Sequence, residues 1–126
     1  MGQLTRNIMN TTTRPVIDPQ AIEDLRALNP EDPAFLRELI DLFVLDVPAR
    51  ITEIELALAR KDAALLCRAA HTIKGSCSNF GAASLREISH AMEMQGKASD
   101  FATAATSLAT LRAAFADVTA ALNQVS

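Results

Sequence analysis

From Leu36 to Leu58 an apolar residue returns every three or four positions: Leu36, Ile40, Phe43, Val47, Ile51, Ile54 and Leu58. That is the period of one helix face, sustained for about six turns. A strand alternates every two residues, so a sheet reading does not fit this stretch. A stripe of this kind must be covered by other helices, because helices gain most of their stability by packing an apolar face. The charged residues Asp41, Arg50, Glu53 and Glu55 fall mostly on the opposite side. Pro48 lies inside the run. It lacks an amide hydrogen and crowds the preceding turn, so it is expected to kink the helix or split it in two.

The same period continues on both sides. "IDPQAIEDLRALNP" reads as a short helix capped by Asp18, with Pro19 at its first position and Asn29-Pro30 at its end. Asp32 and Pro33 repeat the start signal for the long helix. Asp62 can cap the next helix, "DAALLCRAAHTIKGSC", which Asn79, Phe80 and a left-handed Gly81 would end. "AASLREISHAMEMQ" carries Leu85, Ile88 and Met92 in step, and Gly96-Lys97 is expected to break it. Ser99 can then cap a final helix with Phe101, Ala104, Leu108, Leu111, Phe115, Val118 and Leu122 in heptad-like rhythm. Short connections force neighbouring helices to run antiparallel. The expected fold is all-α: an antiparallel four-helix bundle with a short additional N-terminal helix, over residues 17–126. Residues 1–16 are polar, threonine-rich and aperiodic, and are expected to form a disordered tail.

Composition supports helices. Hydrophobic residues make up 49% of the 126, but aromatics only 4%, with no Trp or Tyr. A net charge of −3 and the lack of stacking aromatics argue against nucleic acid as a partner. Cys67 and Cys77 on one helix would lie about 15 Å apart, too far for a disulfide. Free thiols suit a reducing compartment. The stretch "MGQLTRNIMNTTTRP" has no apolar signal-peptide core, and no run approaches a membrane span. A cytoplasmic location, with no membrane contact, is the expectation.

The chemistry gathers around His71. At about 100° per residue, Leu66, Ala69, Ala70, Ile73, Cys77 and Phe80 fall opposite it as a core stripe. Ala64, Cys67, Arg68, Lys74, Gly75 and Ser78 share its side. The phase therefore points His71 at solvent. Histidine can form covalent intermediates through a ring nitrogen, and near neutral pH much of it is unprotonated. Lys74 one turn on and Arg68 one turn back suit a group that will carry an anion. Gly75 costs about 1 kcal/mol against alanine inside a helix, so its face benefits from having no side chain. The plainer alternative is a silent surface histidine flanked by solvated charges.

The stretch "AAHTIKGSCSNFGAASL" closely resembles the signature of the histidine phosphotransfer (HPt) family, H-x-x-K-G-S followed by G-A. The surrounding helical pattern from about Asp18 onward also fits that family's bundle. The resemblance implies that His71 accepts a phosphoryl group from the aspartate of a response-regulator receiver domain and passes it to another. It makes Lys74 the phosphate-side cation and Gly75 the clearance residue, and gives Ser76 a part in packing or capping the helix end. Cys77 stands where the family usually has Ser or Ala, on the core side. The docking surface should surround His71, with Ala64 and Cys67 among polar residues.

Other readings are weaker. Cys67 and His71 have metal-ligand spacing, but two ligands are too few for a structural zinc. No third residue or oxyanion hole supports a Cys-His enzyme. His90 reads as ordinary helix surface. A helical adaptor would lack phosphate on His71. The phosphoacceptor domain of a chemotaxis-type kinase would need a long catalytic chain after it, which these 126 residues do not include. The expectation is a monomeric phosphorelay intermediate, without ATP-dependent kinase activity, metal or cofactor of its own. Its partners would be receiver domains and a hybrid sensor histidine kinase, with Mg²⁺ held by the receiver.

Overall fold

The computed structural model describes residues 15–125; the expected tail lies, as far as Arg14, outside the described residues, as does Ser126. Among the described residues five helices follow one another: α1 (Pro19–Leu28), α2 (Phe35–Arg60), α3 (Ala63–Cys77), α4 (Ala83–Lys97) and α5 (Phe101–Val125). A 3₁₀ turn, Ser78–Phe80, extends α3. The four longer helices form the antiparallel bundle and α1 lies across one end, packed on the 3₁₀ turn and α2. Among the described residues, no helix is long and apolar enough to cross a membrane.

The apolar stripes became the core. Leu36, Ile40, Phe43, Val47, Ile51 and Ile54 of α2 are buried, as are Ala104, Leu111, Val118 and Leu122 of α5. Leu58, Phe101, Leu108 and Phe115 pack against them half-buried. Phe43 stands at the centre. Its ring meets Phe80 edge-on at 5.2 Å and Phe115 at 5.7 Å.

Several local expectations are corrected. Pro48 does not split α2, which runs unbroken for 26 residues. Pro48 faces outward, and burial of one stripe on both sides of it outweighs the roughly 3 kcal/mol a proline costs. Asp32 does not cap α2. Its carboxylate takes the Ala34 amide at 3.0 Å and shapes the turn before a helix that starts at Phe35 without a side-chain cap. Gly96-Lys97 does mark the end of α4, as expected, but from inside it: both residues are helical and Lys97 is the last. Ser99 does not cap α5. It takes a left-handed conformation, φ +54°, and Asp100 caps instead by accepting from Thr103 N at 3.2 Å.

The turn after α3 fixes where that helix stops. Gly81 is left-handed, φ +61°. A side chain there would also strike Asp18, 2.3 Å away. Asp18 in turn donates its amide to Phe80 O at 3.0 Å and caps α1 through Gln20 N at 2.9 Å. One glycine thus anchors both α1 and the end of the helix that carries His71.

Candidate functional site

Asp62 caps α3 by accepting from Leu65 N at 3.1 Å, which starts the helix in the phase the sequence implies. Leu66, Ala69, Ala70, Ile73, Cys77 and Phe80 are all buried. The opposite face holds exposed Ala64, Arg68, Gly75 and Ser78, with Cys67 and Lys74 half-buried at its edge. His71 stands on this face with 65% of its side chain exposed. Around Gly75, nothing lies within 4 Å of where a Cβ would project, so the space beside His71 is open.

The organising residue is one that the sequence reading passed over. Glu93, on α4, is buried with only 9% of its side chain exposed. One carboxylate oxygen, Oε2, lies 3.0 Å from His71 Nδ1, and the other, Oε1, lies 2.7 Å from Lys74 Nζ. His90 Nδ1 is 3.4 Å from Lys74 Nζ and 3.9 Å from Glu93 Oε1, and Lys97 Nζ is 4.0 Å from Oε2. His90 is therefore not ordinary surface but part of the same cluster. Lys74 is not a freely solvated charge either, because its side chain is only 18% exposed and is paired with a buried carboxylate.

The hydrogen bond from Lys74 holds the Glu93 carboxyl below its ordinary value of 4.5, against the upward push of burial, and His71 adds to the lowering. An ionised carboxylate only accepts. Glu93 therefore accepts a hydrogen bond from His71 Nδ1–H, and in the neutral ring the lone pair is then on Nε2, the outer ring nitrogen. Arg68 is exposed and has no described contact with this cluster.

The cysteines play different parts. Cys67 Sγ lies 3.5 Å from the Glu93 carbonyl oxygen, against α4. Cys77 is in the core, where burial pushes its thiol up to about 12, so it stays protonated. Ser76 donates to Thr72 O at 3.1 Å within α3.

Glu93 had a signal in the sequence. It falls one position after Met92 and four after Ser89, on the stripe that continues from Leu85, and a charge in phase with a buried stripe needs a partner. Lys74, read as a surface cation, was that partner.

The fold is shared with known proteins. The family model described as Hpt domain matches residues 38–124. No curated protein sequence matches. Among solved structures, the chain is similar to histidine-containing phosphotransfer protein B (HptB) from Pseudomonas aeruginosa PAO1, at 27% identity and a TM-score of 0.80, covering 89% of this chain and 95% of that one. A rice protein described as a histidine-containing phosphotransfer protein shares the fold at 22% identity and a TM-score of 0.77, covering 97% of this chain and 89% of that one. With the matched region spanning α2 to α5 and the H-x-x-K-G-S stretch carrying an exposed histidine 3.0 Å from a buried carboxylate, the chain belongs to the histidine phosphotransfer (Hpt) domain family.

Proposed function

We propose that His71 Nε2 is the phosphoacceptor, that it takes its phosphoryl group from the aspartyl phosphate of one receiver domain, and that it passes the group to another. The observation that carries this is the 3.0 Å contact between Glu93 Oε2 and His71 Nδ1 beneath a mostly exposed imidazole. In the forward step Nε2 attacks phosphorus in line. The Nε2–P bond forms as the P–O bond to the aspartate breaks, and the freed carboxylate stays with the receiver. The imidazole gains positive charge, which the Glu93 carboxylate offsets across Nδ1–H. Reversal against a second receiver hands the group on. Mg²⁺ on the receiver supplies the main neutralisation of the moving phosphoryl group. Lys74 keeps Glu93 ionised and presents its ammonium to the phosphoryl oxygens.

The receiver docks over the face around His71, where Gly75 admits close approach. Exposed Leu42 of α2 extends that face, since it shares a surface cleft with Ser76 and Asn79. The donor is a hybrid sensor histidine kinase, and the chain works as a cytoplasmic monomer without kinase activity of its own. The test mixes the protein with ATP alone and with a panel of phosphorylated receivers. Acid-labile phosphate is expected only with receivers, lost in His71→Gln and kept in His90→Gln. Label from ATP alone, or the reverse pattern in the two variants, overturns the proposal.

A further inference from the structure

We infer that Gly96 is a positioning residue for phosphotransfer: its missing side chain sets the separation of α3 and α4 at which Glu93 can reach His71. The inference rests on the reading of His71 as phosphoacceptor. The buried stripe of α4 is Leu85, Ser89, Met92, Glu93 and Gly96. Ser89 and Gly96 are its smallest members, roughly one turn before and one turn after the carboxylate. At Gly96 the two helices nearly touch. A methyl group there would lie 2.9 Å from Cys67 Sγ, 3.1 Å from the Cys67 backbone nitrogen and 3.2 Å from Leu66 Cγ. A sulfur can rotate away, but a helix backbone cannot, so any added side chain must push the helices apart.

That push acts on the site directly. Cys67 and His71 are one turn apart on α3, and Gly96 and Glu93 are one turn apart on α4. The Cys67–Gly96 and His71–Glu93 contacts are thus adjacent rungs between the same two helices. Cys67 Sγ, 3.5 Å from Glu93 O, ties the rungs together. The His71–Glu93 hydrogen bond, at 3.0 Å, has little slack before it is lost, and the Lys74 ion pair to the other carboxylate oxygen, at 2.7 Å, lengthens with it. Gly96, one residue before the end of α4, is thus a spacer as well as part of the helix stop. Its neighbour in kind, Gly75, has nothing near it.

The test uses the full chain as Gly96→Ala and Gly96→Val. Nitrogen-15 spectra of the His71 ring report the tautomer without any partner. Transfer is measured from the phosphorylated receiver that labels the parent protein fastest. The parent should show a protonated Nδ1 and an unprotonated Nε2. Gly96→Val should keep its helical circular dichroism, lose that preference, and transfer at least about tenfold more slowly at saturating receiver with half-saturation unchanged. Gly96→Ala should fall between. Adding Cys67→Ala to Gly96→Ala removes the nearest obstructing atom and should restore part of both readouts. A folded Gly96→Val with the parent's spectrum and rate overturns the inference, and so does unfolding of both single variants, which would make Gly96 a residue of the fold alone. If no receiver labels the parent, the phosphotransfer reading fails, while the tautomer comparison still decides the spacing.

Discussion

Two seams of this bundle are made of different material. Where α2 meets α5, Phe43 packs on Phe115 and charge stays at the rim, as in the exposed Arg112–Glu55 pair and the Arg37–Asp41 pair. Where α3 meets α4, the buried stripe contains a serine, a glycine and a carboxylate. The first seam gains stability from apolar area. The second gives up some of that area to hold one negative charge under a histidine. Stability and chemistry are therefore placed in different halves of a small molecule, and substitutions can be used to pull them apart.

The largest effect should come from the apolar seam. Phe43→Ala removes a ring that touches two other rings and is 4% exposed. Thermal or urea melts should show a loss of about 3–5 kcal/mol. The variant, assayed well below its melting temperature, should still transfer phosphate within a few-fold of the parent. Loss of transfer in the folded variant would break the separation.

An intermediate effect belongs to the charged seam. Glu93→Gln keeps the shape but removes the charge, and Lys74→Ala breaks the same pair from the other side. A hydrogen bond to a charged group contributes about 1.5–3 kcal/mol, so Lys74→Ala should cost more than the 0–1 kcal/mol of an exposed bridge. Transfer by Glu93→Gln should slow by roughly tenfold to a hundredfold, the rate equivalent of that bond. The pH dependence carries a definite sign. The unfolded chain binds this proton near 4.5, whereas the folded chain binds it only at lower pH. The stabilisation is thus fully present above 4.5 and is lost as pH falls through the folded value. Melting temperature against pH should lose part of its acid limb in Glu93→Gln. An unchanged limb would mean that Glu93 is not the linked group.

The apolar seam was legible in the sequence and the charged one only in half. Leu36 to Ile54 could be read as buried because period alone places them, whichever helix covers the stripe. The phase around His71 could be read for the same reason. Glu93 carried half a signal: its phase set a charge on the stripe of Leu85 and Met92, but which side chain pairs with it depends on how α4 crosses α3, and no pattern within one helix encodes that crossing. The packing role of Gly96 was hidden likewise: the sequence marks a helix end there and α4 does end at Lys97, but the neighbour Gly96 meets on α3 is not encoded in α4. Ser99 and Asp100 are adjacent candidates for one cap. Only the left-handed turn at Ser99, which throws Asp100 into the capping position, decides between them.

The smallest effect sharpens the comparison most, because it sets two helix glycines against each other. Gly75 lies on the open side of α3 and Gly96 on the closed side of α4. Gly75 has no left-handed backbone to protect, since Gly81 is the only described glycine with positive φ. Gly75→Ala should therefore raise stability by up to about 1 kcal/mol, through helix propensity and a less flexible unfolded chain. Gly75→Leu should also fold, because the added side chain meets nothing. It would, however, project beside the imidazole and hold a receiver off it. About 1 Å of misplacement can cost a hundredfold in rate, so transfer should fall as bulk rises while the melting temperature holds. The His71 tautomer should stay as in the parent in both Gly75 variants, since Glu93 is untouched. At Gly96 bulk disturbs the tautomer before any partner arrives, whereas at Gly75 it acts only when the partner does. If Gly75→Leu transfers at the parent rate, the open space beside His71 is not where the receiver comes in.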